Sequence, residues 1–357
     1  MHVHQLRLTP EVPVACPRCR VPGAPGLRVE ARPVPGPGGM ACPRCGAVYP
    51  VIDGIPCLSA DVPAFLAAQE TFLAPGAPPA DPSSGSRCCD DAFRLDPASS
   101  AFREVSLLGQ HAAAHYPGSF AGLPLGPGLH ANVATVERLA SMLASQPLPS
   151  DASHPGILEV GCGPGRLAMR LSSLAPVAAF DLRIAPLRLG AHVSCGHRPL
   201  VPFRVEGRRF HPVEVSGPAP VGACSFVQGD VLSPPFAAES FAAVVAVSLL
   251  DTVPDPTFVL GQLDALLAPG GLLLLASPWQ WEPGVTPPSE WWSAGPGLSS
   301  DHLLASLRGE DPRLPHLSYE VQRVEDGLPW TLPGHARLSY RYSLVAFLAR
   351  KARRRSR

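Results

Sequence analysis

The run Ile157-Leu-Glu-Val-Gly161-Cys-Gly163-Pro-Gly165-Arg-Leu-Ala168 leaves few folds open to this chain. Its first residues read as a buried strand. Three alternating glycines then read as a turn whose backbone takes positive φ, and a helix begins near Pro164. Strand, loop and helix in that order open a βαβ unit, in which the next strand runs parallel to the first. Later segments keep the alternation. Val177-Ala-Ala-Phe180 predicts a strand ending in Asp181, Phe226-Val-Gln-Gly-Asp230-Val231 a second, and residues 241–248 a fully buried third. An amphipathic helix is expected over 255–267, stopped by Pro269-Gly-Gly271, with a further buried strand over 272–277. The pattern predicts an α/β fold with a doubly wound, mostly parallel sheet.

At 357 residues and 46% apolar content, the chain can build one large core and something smaller beside it. Its 45 prolines and 33 glycines, against 16% charged residues, predict long loops and short helices. Lysine plus arginine equals aspartate plus glutamate at 29 each, so no global field draws the protein to nucleic acid or an anionic membrane. The start lacks a basic flank followed by an apolar run, and the strongly apolar stretch 271–276 is too short to span a bilayer. A soluble, cytoplasmic protein with no membrane partner is expected.

Ten cysteines in such a chain suggest metal binding plus buried thiols rather than a disulfide framework. Cys16-Pro-Arg-Cys19 and Cys42-Pro-Arg-Cys45 are two knuckles separated by 22 residues, a spacing that lets Cys16, Cys19, Cys42 and Cys45 hold one structural Zn2+. The Pro/Gly-rich segment between them cannot make a core, so the metal is expected to supply most of this module's folding free energy. The block CGAVYPVIDGIPCL resembles short bacterial zinc-ribbon modules over about residues 14–60, with Cys57 read as core. Such ribbons can contact RNA, hold a protein partner or brace an enzyme. Residues 74–86 read as a flexible linker, and Cys88 and Cys89 receive no role. The expected organisation is a ribbon over 1–60, a linker and extension over 61–130, the main domain over 131–350 and a basic tail over 351–357.

The glycine spacing serves a dinucleotide as well as other nucleoside cofactors. Glu159, two residues before the first glycine, would repel a pyrophosphate but can hold an ammonium group. Asp181, about 20 residues beyond the loop, can accept bonds from both ribose hydroxyls. Asp230 is placed for an adenine amino group. The ordered set E-x-G-C-G-x-G, ribose acid, adenine acid and L-x-P-G-G resembles class I S-adenosylmethionine-dependent methyltransferases. That resemblance implies a Rossmann-like, seven-stranded sheet with S-adenosyl-L-methionine as cofactor. It also implies a cofactor site lined by Glu159, Gly161, Cys162 as a small packing residue, Gly163, Gly165, Asp181, Asp230, Val231 and Ser248.

Ser248-Leu-Leu-Asp251-Thr252 follows the fourth strand, and loops at the carboxyl ends of parallel strands face the ligand crevice, so Asp251 is placed to touch a methyl acceptor. A cap for the next helix is the alternative. Tyr340 and Tyr342 lie two apart on a final strand, on one face. The segment FVQGD, the Asp251…Asp255-Pro256 arrangement, SP-x-x-W with TP-x-x-x-W over 277–291, and the terminal Tyr-x-aromatic strand resemble an imidazole-methylating group over roughly residues 157–350. This group includes carnosine N-methyltransferase and the carboxyl-terminal mercaptohistidine N-methyltransferase domain of ovothiol synthases. The resemblance implies that Asp251 receives an imidazole, that Tyr340 and Tyr342 enclose it and that Trp281 belongs to a lid. A neutral imidazole, with a pKa near about 6.5, is nucleophilic at neutral pH, and a carboxylate accepting its N–H orients the other nitrogen.

The chain departs from that group in its zinc ribbon, in an insertion over 195–223 that predicts a hairpin, and in Pro288-Ser-Glu-Trp-Trp292, which lacks the group's Gly-Gly. The expected function is N-methylation of a small histidine-derived acceptor. RNA base methylation is the competing reading, because a ribbon before such a domain also resembles some ribosomal RNA guanine methyltransferases and the 350–357 tail can touch phosphate. That tail is otherwise a solvated end. A non-catalytic binding module is the third reading.

Overall fold

The computed structural model describes residues 12–19, 34–36, 39–73, 77–79, 95–125, 128–149, 156–293 and 295–353. Cys88, Cys89, most of the 74–86 linker and the last four residues lie outside them. The amino-terminal module carries β1 (Val34–Gly36), β2 (Gly39–Ala41), β3 (Val48–Tyr49), β4 (Val51–Ile52) and β5 (Ile55–Pro56). Helices α1 (Val62–Ala68), α2 (Glu70–Leu73), α3 (Ser100–His115) and α4 (Ala131–Ala144) follow. The alternating part runs β6 (Ile157–Val160), α5 (Arg166–Leu171), β7 (Val177–Asp181), α6 (Ile184–Ser194), β8 (Leu200–Glu206), β9 (Arg209–Glu214), β10 (Cys224–Gln228) and β11 (Phe241–Val247). It ends with α7 (Pro256–Leu266), β12 (Leu267–Ser277), α8 (Ser299–Leu307), β13 (Tyr319–His335) and β14 (Leu338–Lys351). Among the described residues no helix is long and apolar enough to cross a membrane.

Seven strands form the central sheet in the order β10-β7-β6-β11-β12-β14-β13. The first five are mutually parallel, and β14 enters antiparallel to both β12 and β13. The chain leaves β6 in one direction through β7 to β10 and returns to its other side at β11, so a switch point opens between β6 and β11. Both strands are buried, and apolar apart from Glu159, because helices cover both faces of the sheet. Leu167, Ala168, Val105, Leu108, Val136 and Leu139 fill one face, while Leu260, Leu263, Leu303 and Leu307 fill the other.

The expected elements appear with shifts that have local causes. Asp255 caps α7 by accepting a bond from the Phe258 amide at 2.8 Å. The Pro269-Gly-Gly271 stop lies inside β12, where a register shift against β11 absorbs it and Gly270 takes φ of +80°. The insertion forms the β8–β9 hairpin. Gly109 of α3 lets the helix press on it, since a Cβ there would stand 2.5 Å from the Pro202 carbonyl. β13 carries charges and two prolines that argue against a central strand, and its place at the sheet edge explains both.

The amino-terminal module packs directly on the sheet. Val14 bridges Phe236, Cys57 bridges Gln228, and the Leu58 amide donates to the Gln228 carbonyl at 2.8 Å, so the module continues the sheet past its β10 edge. Val12, Val14, Met40, Tyr49 and Leu58 share a core with Phe180 and Phe236. The end of β14 is anchored by its cations. Arg350 donates to the carbonyls of Gly270 at 2.9 Å and Pro147 at 3.1 Å, and Lys351 pairs with Asp264 at 3.0 Å.

Buried Asn132 joins three elements. Its amide donates to the carbonyls of Ala114 at 3.0 Å and Thr331 at 2.8 Å, and its oxygen accepts from the Thr331 amide at 2.7 Å. Asn132→Leu leaves three buried backbone groups unpaired, at about 1–3 kcal/mol each. A loss of about 3 kcal/mol or more is therefore expected in urea unfolding, and a loss below about 1 kcal/mol would show that the network is not holding α3 to β13.

Candidate active site

The carboxyl ends of β6, β7, β10 and β11 meet at one edge of the sheet. Gly161, Gly163 and Gly165 take φ of +72°, +52° and +72°, as the glycine pattern predicts. The loop is tied to the second strand, because the amides of Gly161 and Cys162 donate to the Phe180 carbonyl and that of Gly163 donates to Asp181 Oδ2 at 2.8 Å. The predicted cofactor residues then separate into two groups. Gly165 and Cys162 are packed: a Cβ on Gly165 would stand 2.6 Å from the Phe226 ring, and Cys162 is buried. The others, Glu159, Gly161, Gly163, Asp181, Asp230, Val231 and Ser248, lie at or just beyond the carboxyl ends of β6, β7, β10 and β11.

Glu159 is 3% exposed, and its Oε2 has no hydrogen-bond partner. Burial raises its carboxyl to about 8, against a bond from the Ala168 backbone that acts the other way. Such a group fits an ammonium partner. Asp181 also accepts from the Arg183 amide at 2.9 Å, and Asp230 accepts from the Leu232 amide at 2.9 Å, which fixes both carboxylates at adjacent strand ends. The exposed Leu182 beside Asp181 offers a flat apolar contact. This donor and acceptor set suits an adenosyl group with an amino-acid end.

Ser248 ends β11 with φ of +52° and starts the turn that carries Asp251. The carboxylate of Asp251, 1% exposed, accepts from the Gln280 amide at 2.8 Å, while its Oδ1 is buried without a partner. Burial is the main cause that raises its pKa. Asp255, not Asp251, caps α7, which removes the capping alternative for Asp251.

The aromatic loop is locked in place. Trp281 is buried, stacks with Trp279 and Trp291, and donates to Ser299 Oγ at 3.1 Å. Trp279, Trp291 and Trp292 donate to Ser300, Thr286 and Thr257. Trp281, expected in a lid, thus sits within a cluster of indole rings.

Tyr340 and Tyr342 share a face and stack at 6.5 Å. Burial first, then Tyr340, Asp251 and Glu282, raises the Tyr342 pKa. Tyr340 remains 46% exposed at the rim. Opposite Tyr342 in the β13–β14 pairing stands Trp330, which meets His115 edge-on at 5.6 Å. His111 and His115 lie over Gly163 from α3. Sequence reasoning missed these three residues; the i, i+4 histidine pair on one helix was the available signal.

The four knuckle cysteines converge. Their sulfurs lie within 4.8 Å of one another, with Cys16–Cys45 at 3.7 Å and Cys19–Cys42 at 3.8 Å. Tetrahedral zinc with Zn–S near about 2.3 Å needs sulfurs roughly 3.8 Å apart, so the set fits. The Tyr49 hydroxyl lies 3.0 Å from the Cys16 sulfur.

A family profile described as a methyltransferase domain matches residues 132–323, more than half of the chain. The ubiquinone biosynthesis O-methyltransferase of Xanthomonas axonopodis pv. citri is 30% identical over 122 residues, which are 34% of this chain and 42% of that relative. The alignment thus spans less than half of the relative's length. Among solved structures, the N-methyltransferase NodS of Bradyrhizobium japonicum, in complex with S-adenosyl-L-homocysteine, is 13% identical with a TM-score of 0.39, over 68% of this chain and 96% of that one. The magnesium protoporphyrin IX methyltransferase of Synechocystis, with bound S-adenosylmethionine, is 12% identical with a TM-score of 0.39, over 63% and 81%.

Glu159 gives a pH test. Folding raises its pKa from 4.5 to about 8, so the folded state holds more protons than the unfolded state between these values, and stability falls as pH rises through that window. Glu159→Gln should flatten this part of the stability profile in urea melts between pH 5 and about pH 8.5. Parallel profiles for the two proteins would show that the carboxyl is not held protonated.

Proposed function

The chain belongs to the methyltransferase-domain family, and from that premise we propose that it uses S-adenosyl-L-methionine to methylate a ring nitrogen of a small, histidine-derived imidazole acceptor. The observation that carries the acceptor is Asp251 Oδ1, buried without a partner just beyond the end of β11. Such an oxygen calls for an N–H donor, and a neutral imidazole offers one N–H and one nucleophilic nitrogen.

When bound, S-adenosylmethionine supplies an electrophilic methyl group. Glu159, Asp181 and Asp230 hold its ammonium, ribose and adenine ends, with Gly161 and Gly163 allowing close approach of the backbone. Asp251 accepts the acceptor N–H, fixes the tautomer and stabilises the positive charge that develops on the ring. Tyr340 and Tyr342 close one side of the ring and exclude water. The four cysteines hold a structural zinc ion that braces the sheet edge. Arg350 and Lys351, two of the basic residues on which the RNA reading relied, are engaged by Gly270, Pro147 and Asp264.

Asp251→Asn keeps an oxygen for the Gln280 amide. It should leave S-adenosylhomocysteine affinity within about threefold while lowering methyl transfer to imidazole compounds by about 100-fold or more. Undiminished turnover on a panel of histidine derivatives would sink the acceptor assignment. Elemental analysis should find one zinc per chain, and chelation should lower the melting temperature of the whole domain, since the module shares its core with the sheet. An unchanged melting temperature on chelation would show that the cysteines hold no metal that braces the sheet.

A further inference from the structure

A fully buried side-chain amide stands at the end of β10, where a buried parallel strand ordinarily carries an apolar residue. Gln228 is 0% exposed. Its Nε2 donates to the Leu182 carbonyl at 2.9 Å and to Ser59 Oγ at 3.1 Å, and its Oε1 accepts from the same hydroxyl at 3.3 Å. Leu182 follows Asp181, and Ser59 belongs to the amino-terminal module, so one side chain ties the turn after β7 to that module. A second tie lies three residues beyond Asp181. The buried Gln69, between α1 and α2, accepts through its side chain from the Ile184 amide at 3.2 Å, and this amide heads α6, where no intrahelical partner exists for it. Arg188 of α6 then reaches back to the Phe72 carbonyl at 2.7 Å and to Asp53 at 2.6 Å.

On one side of this turn the Asp181 carboxylate accepts from the amides of Gly163 and Arg183; on the other side the turn rests on the module through Gln228 and Gln69. A buried amide costs free energy unless its bonds are made, and those of Gln228 are made across the boundary between the module and the sheet. The aim of the Asp181 carboxylate therefore depends on backbone that the module holds. We propose that Gln228, with Gln69, is a positioning residue that fixes the turn carrying Asp181, so that the amino-terminal module sets the affinity of the crevice for the nucleoside end of its ligand. The proposal rests on the proposed function in giving Asp181 a ribose to hold.

The experiment is calorimetric titration of the unaltered chain and of Gln228→Met with S-adenosylhomocysteine and with 5′-methylthioadenosine, which keeps the nucleoside and lacks the amino-acid end. Methionine matches glutamine in length and volume but cannot donate to Leu182, so affinity for both ligands should fall by the same factor, about tenfold or more. Tyr319→Phe is the control for general destabilisation, because it removes a buried bond to Asp264 at the opposite edge of the sheet. It should lower the melting temperature and leave both affinities within about threefold. Unchanged affinity in Gln228→Met overturns the positioning role, as does a loss confined to S-adenosylhomocysteine or an equal loss in Tyr319→Phe. Should Gln228→Met fail to fold, Gln69→Met decides: a fall of about threefold or more for both ligands supports the role, and unchanged affinity overturns it. No binding of S-adenosylhomocysteine to the unaltered chain overturns the cofactor reading itself, and the positioning role with it.

Discussion

The parallel pairing of β6 between β7 and β11 is the constraint from which the rest of the molecule follows. Because the chain departs from β6 to one side and returns on the other, the loops after these strands part and leave a crevice at their carboxyl ends. Every residue with an unpartnered buried carboxylate oxygen near that crevice, Glu159 and Asp251, stands at or just beyond the end of β6 or β11. The hydrogen bond from the Gly163 amide to Asp181 then ties the glycine loop to β7, so that the loop keeps its shape without a ligand.

Backbone strain gathers at the same edge. Ser248, Trp279 and Trp281 all take positive φ without being glycine, at a cost of about 1–3 kcal/mol each. The surroundings hold them there: Ser248 donates its amide to Ala276, and the indoles of Trp279 and Trp281 donate to two serines of one helix. The result is an aromatic wall behind Asp251, whose carboxylate takes one bond from the Gln280 amide while its Oδ1 has no hydrogen-bond partner.

The two edges of the sheet are closed by different means. At β10 the cysteine module adds its own backbone bonds and apolar residues, which makes it part of the enzyme's core rather than an appendage. At the far edge, β13 is long and charged and contains Pro329 and Pro333, features that discourage further pairing. The β8–β9 hairpin packs beneath α3 and supports the helix that carries His111 and His115 over the loop.

Sequence alone determined the parts whose causes are local. Positive φ at Gly161, Gly163 and Gly165, the strands over 157–160 and 241–247, the cap at Asp255 and the paired cysteine knuckles all arise from sterics, periodicity or spacing within a few residues. The charged and proline-bearing β13 was not legible, because its partner is a strand that follows it and its edge position is a property of the sheet. Nor could the spacing of His115 and Trp330 announce that they meet, since 215 positions separate them and only the α3, α4 and β13 packing through Asn132 brings them together. The ribbon's dependence on the sheet was decided in the same way. Burial of its few apolar residues becomes favourable only once β7 and the Phe236 segment provide the other half of the core.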